Sequence, residues 1–264
     1  MRLAFLAALI ASLPTFGWTA TAWAEGTERP MPDTYAEVPE SARPRPLTDD
    51  IELPTVPREH RIDVALQALL VTRLAESEID GRETGIAYDP APGVGAGVRI
   101  IVHDYFQVGA SWTWATHSLT MEEGALGIHG SIEMNSVTSY SLATHFMPTL
   151  PLGDRVRLWA SVGVGWGRHY YPPMHVKDAS GSYTVRDRAA SFIDFPLGLG
   201  GMVELLPGWI SLDLDVTAAP GLPEDGSARI PITVLDGAGQ RKRIGPMPGA
   251  TVTFIQALGL SVLL

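Results

Sequence analysis

The chain has 264 residues, a formal net charge of −10 and no cysteine. Without cysteine it forms neither a disulfide framework nor a Cys-ligated zinc, haem or iron–sulfur site. The acidic balance argues against a nucleic-acid partner, and a 45% share of apolar residues argues against a wholly disordered chain. The length allows one large or two small domains.

Residues 1–24 have the composition of a signal peptide. Arg2 precedes an apolar stretch that is shorter than the roughly 18–20 residues of a membrane-spanning helix. Ala22, Trp23 and Ala24 form a small-residue cleavage site, which would leave Glu25 as the new N-terminus. Residues 25–60 follow as a proline-rich, acidic segment with few large apolar residues, which predicts an extended, disordered tail.

From residue 61 onward apolar and polar residues alternate with a period of two, which is the pattern of β-strands. Between Val156 and Trp166, for example, every second residue is apolar, and Ile210 to Val216 repeats the pattern. Eight strands are predicted, at 61–74, 92–103, 105–117, 132–147, 155–168, 190–204, 209–218 and 250–264.

The connections between these strands alternate strictly in length. Short turns near Asp104, Gly153 and Gly208 alternate with long connections of roughly 75–91, 118–131, 169–189 and 219–249. Such alternation predicts an up-and-down meander with all long loops at one end. Two of the long loops are expected to carry hairpins of their own, at Ser180–Val185 and near Gly237–Gly239.

One face of the predicted strands is continuously apolar and the other is rich in glycine and small hydroxyl residues. Aromatic residues cluster near the strand ends, which resembles the two interfacial girdles of a membrane barrel. Those toward the long loops are Trp114, Trp166, Tyr170, Tyr171, Phe192 and Phe254. The chain is therefore predicted to be all-β: an eight-stranded antiparallel up-and-down transmembrane β-barrel with a disordered N-terminal tail. A soluble periplasmic ligand-binding barrel, with the apolar face inward, shares the same alternation.

Residues 61–264 resemble the small eight-stranded outer-membrane β-barrels of Gram-negative bacteria, the group of OmpA transmembrane domain, OmpX and OmpW. The C-terminal ending, Ala257, Gly259, Val262 and Leu264, resembles a barrel-assembly signal, although alanine, valine and leucine replace its polar and aromatic residues. The resemblance implies an outer-membrane location, a periplasmic tail and extracellular long loops. It also implies contact with outer-membrane lipid or lipopolysaccharide and, during insertion, with the barrel-assembly machinery.

Several ionisable residues are predicted to face the barrel interior near its short-turn end. Buried charges need partners, so these residues are expected to form a lumen charge network: Asp63, Arg99, His145, Arg157, Glu204 and Asp213. A gated ion path is the functional alternative, but an eight-stranded lumen is normally filled by side chains.

Other candidates for chemistry are weaker. His117 and Ser118, near Glu122, would suit a lipid-modifying enzyme, but adjacent strand residues point to opposite faces. An acidic run from Glu76 to Glu83 would bind Ca²⁺ only loosely. The basic tip Arg241, Lys242 and Arg243 is a candidate surface-interaction site for an anionic partner.

The function expected from the sequence is non-enzymatic, a structural or surface-interaction role carried by extracellular loops, with no cofactor, metal or nucleic acid. A narrow channel or transporter for small or apolar solutes and an outer-membrane lipid-modifying enzyme stay open as alternatives. The sequence does not identify an extracellular ligand.

Overall fold

The computed structural model describes residues 62–79, 82–223 and 226–264. The predicted signal peptide at 1–24 and the predicted tail at 25–60 lie outside the described residues. The described part is almost entirely β-structure, as the period of two predicts. It contains no helix long and apolar enough to cross a membrane.

Eight long antiparallel strands form a closed ring. Their bounds are β1 Ile62–Ala75, β2 Ala91–His103, β3 Phe106–His117, β4 Val137–Leu152, β5 Val156–Tyr171, β6 in two segments Arg188–Asp194 and Leu197–Leu206, β7 Ile210–Pro223 and β8 Ala250–Leu263. Each strand pairs with the next, and β8 pairs back onto β1 from Asp63↔Leu263 to Ala75↔Ala250. The predicted eight-stranded up-and-down barrel is therefore confirmed.

The break in β6 is local and leaves the pairing register unchanged. On β5, Leu197 lies opposite Val162 and Asp194 lies opposite Gly165, which is the same register on both sides of the break. Pro196 lies between the two segments and has no N–H to donate, but its carbonyl accepts from Gly163 N–H at 2.9 Å. The two segments therefore act as one strand of the ring despite the proline.

The strand boundaries differ from the prediction most clearly at β4. The sequence predicts residues 132–147, whereas β4 runs from Val137 to Leu152 and the separate short strand Gly130–Met134 precedes it. Pro148 and Pro151 resemble turn residues in the sequence, yet both lie within the strand. The β4–β5 pairing runs to Trp159↔Thr149 and resumes at Val162↔Phe146, so the ladder tolerates Pro148 at a gap.

The outward face of the ring is apolar, and the inward face is small or polar. Leu66 and Leu199 are 70% and 69% exposed, and the outward face includes most of the large exposed hydrophobic side chains. A surface of this kind suits hydrocarbon rather than water. The prediction is wrong for two aromatic residues of the outer girdle, because Tyr171 and Phe192 are buried in the lumen. Tyr171 follows outward-facing Tyr170, and Phe192 shares the inward parity of Asp194.

The four long connections fold together at one end of the barrel. Their described residues, 76–79, 82–90, 118–136, 172–187 and 226–249, are called the loop cap. Its short strands are Glu78–Ile79 with Arg82–Glu83, Ile86–Tyr88 with Leu119–Met121, Met174–Asp178 between Gly130–Met134 and Gly181–Val185, and Ile232–Leu235 with Arg241–Ile244. Two 3₁₀ turns, Ala125–Gly127 and Ser227–Arg229, complete it. Both predicted loop hairpins are present.

The loop cap has a hydrophobic core that is continuous with the upper strand ends. Buried members from the connections include Ile86, Leu126, Val176, Ile244 and Met247. Val137 and Tyr171, at the ends of β4 and β5, belong to the same cluster. The long loops are therefore a packed layer, and each of them depends on its neighbours for burial.

We expect Gly163→Ala to destabilise the barrel, because a Cβ at this position overlaps the Thr144 carbonyl oxygen and lies 3.1 Å from Pro196 Cγ. Neither neighbour has free space, so the expected loss is about 1–3 kcal/mol. The matched control is Gly97→Ala, whose Cβ has its nearest neighbour, the Ala110 carbonyl oxygen, at 3.6 Å. Urea unfolding in detergent measures both variants, and equal midpoints would contradict the expected crowding.

Candidate functional site in the lumen and loop cap

A buried ion triad fills the lumen near the short-turn end. Arg99 on β2 lies 2.6 Å from the Asp63 carboxylate on β1 and 2.5 Å from the Asp213 carboxylate on β7. Ser261 on β8 donates to Asp213 at 3.2 Å, and Ser211 pairs with Ser261 at 2.5 Å. The three charges are buried, so their mutual pairing compensates for the lost hydration.

The other three predicted network residues have contacts of their own. Arg157 on β5 is 3.9 Å from Glu204 on β6, whose carboxylate also accepts from the Gly208 N–H at 2.9 Å. His145 on β4 shares a 2.7 Å hydrogen bond with Ser111 Oγ. The structure thus divides the six predicted residues into a triad, a pair and a separate histidine.

Trp159 and Asp215 extend the triad toward the middle of the lumen. The Arg99 guanidinium lies over the Trp159 ring at 4.8 Å, and Trp159 Nε1–H donates to Asp215 at 2.9 Å. Gln67 also donates to Asp215, at 3.2 Å. The sequence indicated that both residues face inward, but it did not link them to Arg99 because only the strand stagger brings them together.

A cavity of about 100 Å³ lies above this layer. Its lining combines Ser111, His145 and Asp215 with small residues and the Asp194 side chain from β6. The Asp194 Oδ1 atom is buried and has no hydrogen-bond partner among the described residues. The cavity is polar enough to hold water, because several hydrogen-bonding groups converge on it.

A second buried layer closes the lumen toward the long loops. Arg73 on β1 donates from Nε to His117 Nε2 at 3.2 Å and from Nη1 to Thr253 at 2.8 Å. Since His117 Nε2 accepts, its Nδ1–H donates to the Asp89 carbonyl at 3.1 Å. His169 stacks on Phe192 with ring centroids 4.6 Å apart. The lumen is therefore filled by side chains at two levels.

This geometry leaves His117 apart from Ser118, as strand parity predicts. His117 is fully buried in the lumen, whereas Ser118 is exposed. The His117 Nε2 lone pair already accepts a hydrogen bond from Arg73. His175, on the strand Met174–Asp178, shares an exposed 3.0 Å hydrogen bond with Thr184.

Two contacts, one half-buried and one buried, tie the long connections to one another and to the upper end of β5. Glu76, directly after β1, pairs with Arg229 through both guanidinium nitrogens and accepts from the Gly249 N–H at 2.9 Å. Tyr88 and Tyr171 share a 2.6 Å hydrogen bond, and both hydroxyls lie within 3.0 Å of the Pro248 carbonyl. Burial raises the pKa of Tyr88 to about 12, so it stays neutral.

Of the three cations of the predicted basic tip, one forms ion pairs and two are exposed. Lys242 lies 2.6 Å from the Asp178 carboxylate and 3.5 Å from Asp236, and the hydrogen bond from Lys242 holds the pKa of Asp178 well below its usual value of 3.8. Arg241 and Arg243 extend into solvent on either side. The structure thus leaves two of the three cations facing outward.

The acidic run near the end of β1 is a weaker metal candidate in the structure than in the sequence. Glu76 is engaged by Arg229, and Asp80 lies outside the described residues. The described residues contain no group of three His, Cys, Asp or Glu side chains arranged to hold a metal ion.

Sequence reasoning missed the packed core of the loop cap. Short alternating runs at Met174–Val176 and Tyr183–Val185 are a signal for it, because each places apolar side chains on one face. No local sequence pattern predicts the hydrogen bonds among Tyr88, Tyr171 and Pro248, because the three residues come from distant parts of the chain.

Comparison with known proteins gives similarities of structure alone. No family model and no curated protein matches the sequence. The attachment invasion locus protein Ail of Yersinia pestis is similar over 78% of this chain and 99% of its own, at 11% identity and a TM-score of 0.43. OprG of Pseudomonas aeruginosa is similar over 78% and 96%, at 10% identity and a TM-score of 0.45.

A major outer membrane protein of Thermus thermophilus is similar over 77% of this chain and 99% of its own, at 14% identity and a TM-score of 0.47. Two of these three proteins are named as outer-membrane proteins. The barrel fold of the present chain is established by its own strand pairing.

We expect Arg99→Met to destabilise the barrel by about 3–5 kcal/mol, because it leaves Asp63 and Asp213 as buried, uncompensated charges. The matched control adds Asp63→Asn and Asp213→Asn to the same variant, which removes the stranded charges. Urea unfolding of the folded barrel should show a large loss for the single variant and a partial recovery for the triple variant. A triple variant less stable than the single one would contradict the ion-triad interpretation.

We expect the hairpin Met174–Val185 to lose hydrogen-exchange protection as the pH falls below about 4. The pKa of Asp178 is lowered in the folded state, so its contribution is complete above the unfolded value of 3.8 and is lost as the pH falls toward the folded one. Lys242→Met should lower protection already at pH 6, whereas Arg241→Met, at an exposed position, should not. Protection in Lys242→Met equal to that of the unaltered chain would contradict this role.

Proposed function

We propose that this protein is a non-enzymatic outer-membrane barrel with a structural or surface-interaction role carried by its loop cap. The observation that carries the proposal is the packed loop cap, whose own hydrophobic core stands above a lumen filled at two levels. Such a molecule has an ordered surface at one end, above a barrel whose lumen is filled by side chains.

The apolar outward face supports placement in a bilayer. Along β5 the outward side chains are apolar from Val156 to Trp166, ten steps of about 3.3 Å each. A tilt of about 40° converts this length into a height of about 25 Å, which equals the apolar band of outer-membrane barrels. The closed ring also leaves no unpaired strand edge in the hydrocarbon.

The proposed orientation follows from export and from the position of the loops. With a cleaved signal peptide at 1–24, the segment 25–60 would be periplasmic and the loop cap extracellular. The barrel-assembly machinery would then insert the chain, and lipopolysaccharide would surround it. Arg241 and Arg243 are the exposed cations of the cap tip that suit an anionic surface partner.

The filled lumen and the histidine geometry disfavour the two alternatives. A conducting path would have to cross both the Arg99 triad and the Arg73–His117 layer, whose side chains are buried. A lipid-modifying enzyme of the Ser–His type needs a histidine with a free lone pair beside a serine, whereas His117 accepts from Arg73 and Ser118 points away.

The proposal predicts an outer-membrane protein that does not conduct. We expect it in the outer-membrane fraction, with a mobility on SDS gels that shifts on boiling, and no channel openings in planar bilayers. An epitope inserted at Gly239, a turn position with no neighbour within 4 Å of an added Cβ, should be labelled on intact cells.

The control epitope is inserted at Gly153, the equally open turn between β4 and β5 at the opposite end. It should be labelled only after the outer membrane is permeabilised. Recovery in the soluble periplasmic fraction would overturn the membrane placement. Discrete conductance would overturn the non-channel role and favour the narrow transporter.

A further inference from the structure

Among the described residues, the outward face of the barrel carries one charged side chain, Arg168 on β5. Every other Asp, Glu, Lys or Arg in the described residues of the eight strands faces the lumen or is buried: Asp63, Arg73, Arg99, Arg157, Arg188, Asp194, Glu204, Asp213 and Asp215. A lone charge on a lipid-facing wall is costly at mid-membrane, and the cost falls close to zero near the membrane interfaces, where an anion can meet it.

Arg168 lies at the upper edge of the apolar band. The outward positions of β5 are apolar up to Trp166, the residue that completes the height of about 25 Å. Arg168 is the next outward residue, so its guanidinium lies at the level of lipid headgroups. This is where a bilayer places its phosphate groups.

Three aromatic side chains lie beside Arg168 on the outward face. Tyr140 on β4 lies directly opposite Arg168, and Tyr170 is the next outward residue on β5. The Arg168 Cζ atom lies 5.2 Å from the centre of the Tyr170 ring. Tyr140 stacks on Tyr170 at 6.0 Å and meets Trp166 edge-on at 5.9 Å, so three rings share one patch.

Hydrogen-bonding capacity is left over at the same place. In the described part of the chain, the buried Arg168 Nε has no hydrogen-bond partner, and Arg168 forms no ion pair with a carboxylate. Ser191 on β6, directly across from Arg168, adds a hydroxyl to the same row. A planar guanidinium with free donors fits a phosphate, which it binds through two parallel hydrogen bonds.

We propose that Arg168, with Tyr140, Trp166, Tyr170 and Ser191, is a binding site for the phosphate of an outer-leaflet lipid. The rings contact the uncharged part of the headgroup, and the guanidinium pairs with the phosphate. The proposal rests on the proposed outer-membrane placement, since a soluble protein would have no lipid at this wall. It adds a partner on the wall, separate from any partner of the loop cap.

The test is native mass spectrometry of the full-length protein, purified in detergent and titrated with bisphosphorylated lipid A. We expect Arg168→Gln to weaken the binding of the first lipid about ten-fold, as loss of a charge-assisted, bidentate contact predicts. Arg168→Lys keeps the charge but cannot form two parallel hydrogen bonds, so its lipid affinity should lie between those of Arg168→Gln and the unaltered chain. Arg186→Gln, at an exposed arginine of the loop cap, is the matched control and should bind like the unaltered chain.

Two further arms separate the sources of phosphate. Dephosphorylated lipid A should bind Arg168→Gln and the unaltered chain equally, and millimolar inorganic phosphate should not displace the phosphorylated lipid. Equal affinity of Arg168→Gln and the unaltered chain for phosphorylated lipid would overturn the site, and so would displacement by inorganic phosphate. The heat-dependent gel shift and outer-membrane recovery of Arg168→Gln are scored separately, so loss of the lipid site is distinguishable from failure of the membrane placement.

Discussion

Closure of the eight-stranded ring is the constraint on which the rest of the molecule depends. In a wall whose outer surface is apolar, each backbone N–H and C=O must find its partner within the sheet. The β8–β1 pairing completes this requirement, because it removes the edges that an open sheet would leave. Two of the prolines show how the ring keeps it: the Pro196 carbonyl still accepts from the Gly163 N–H, and Pro148 lies at a gap in the β4–β5 pairing.

A closed ring of this size leaves little room inside, and the interior shows how that room is shared. Glycines occupy lumen positions on β5 and β6 beside the bulky Trp159, as Gly200 does. Arg99 then fills the space between Asp63 and Asp213, and its charge is met from two strands at once. Small residues therefore make room for the large side chains of the lumen. Ion pairing compensates for the desolvation of the charges buried there.

The sequence predicts the wall well because strand parity is a local property. Alternation along β1, β2 and β7 fixes which of their side chains face outward, and so it places Asp63, Arg99 and Asp213 in the lumen before any contact is known. It does not fix the stagger between strands, which decides that Arg99 meets Trp159 and that His145 bonds to Ser111 instead of joining the triad. Contacts such as Tyr88 with Tyr171 depend on loop packing, for which a single sequence carries only faint signals.

The packed core of the loop cap has a consequence for recognition. A mobile loop must be ordered when it binds, and that ordering subtracts from affinity, whereas a layer held by Met247, Val176 and the Glu76–Arg229 pair is ordered beforehand. Its exposed side chains, including Arg241 and Arg243, would therefore present a fixed pattern to the proposed partner. Since the same core includes Tyr171 at the end of β5, and Glu76 directly after β1 pairs with Arg229, the upper strand ends of the barrel set the position of these side chains.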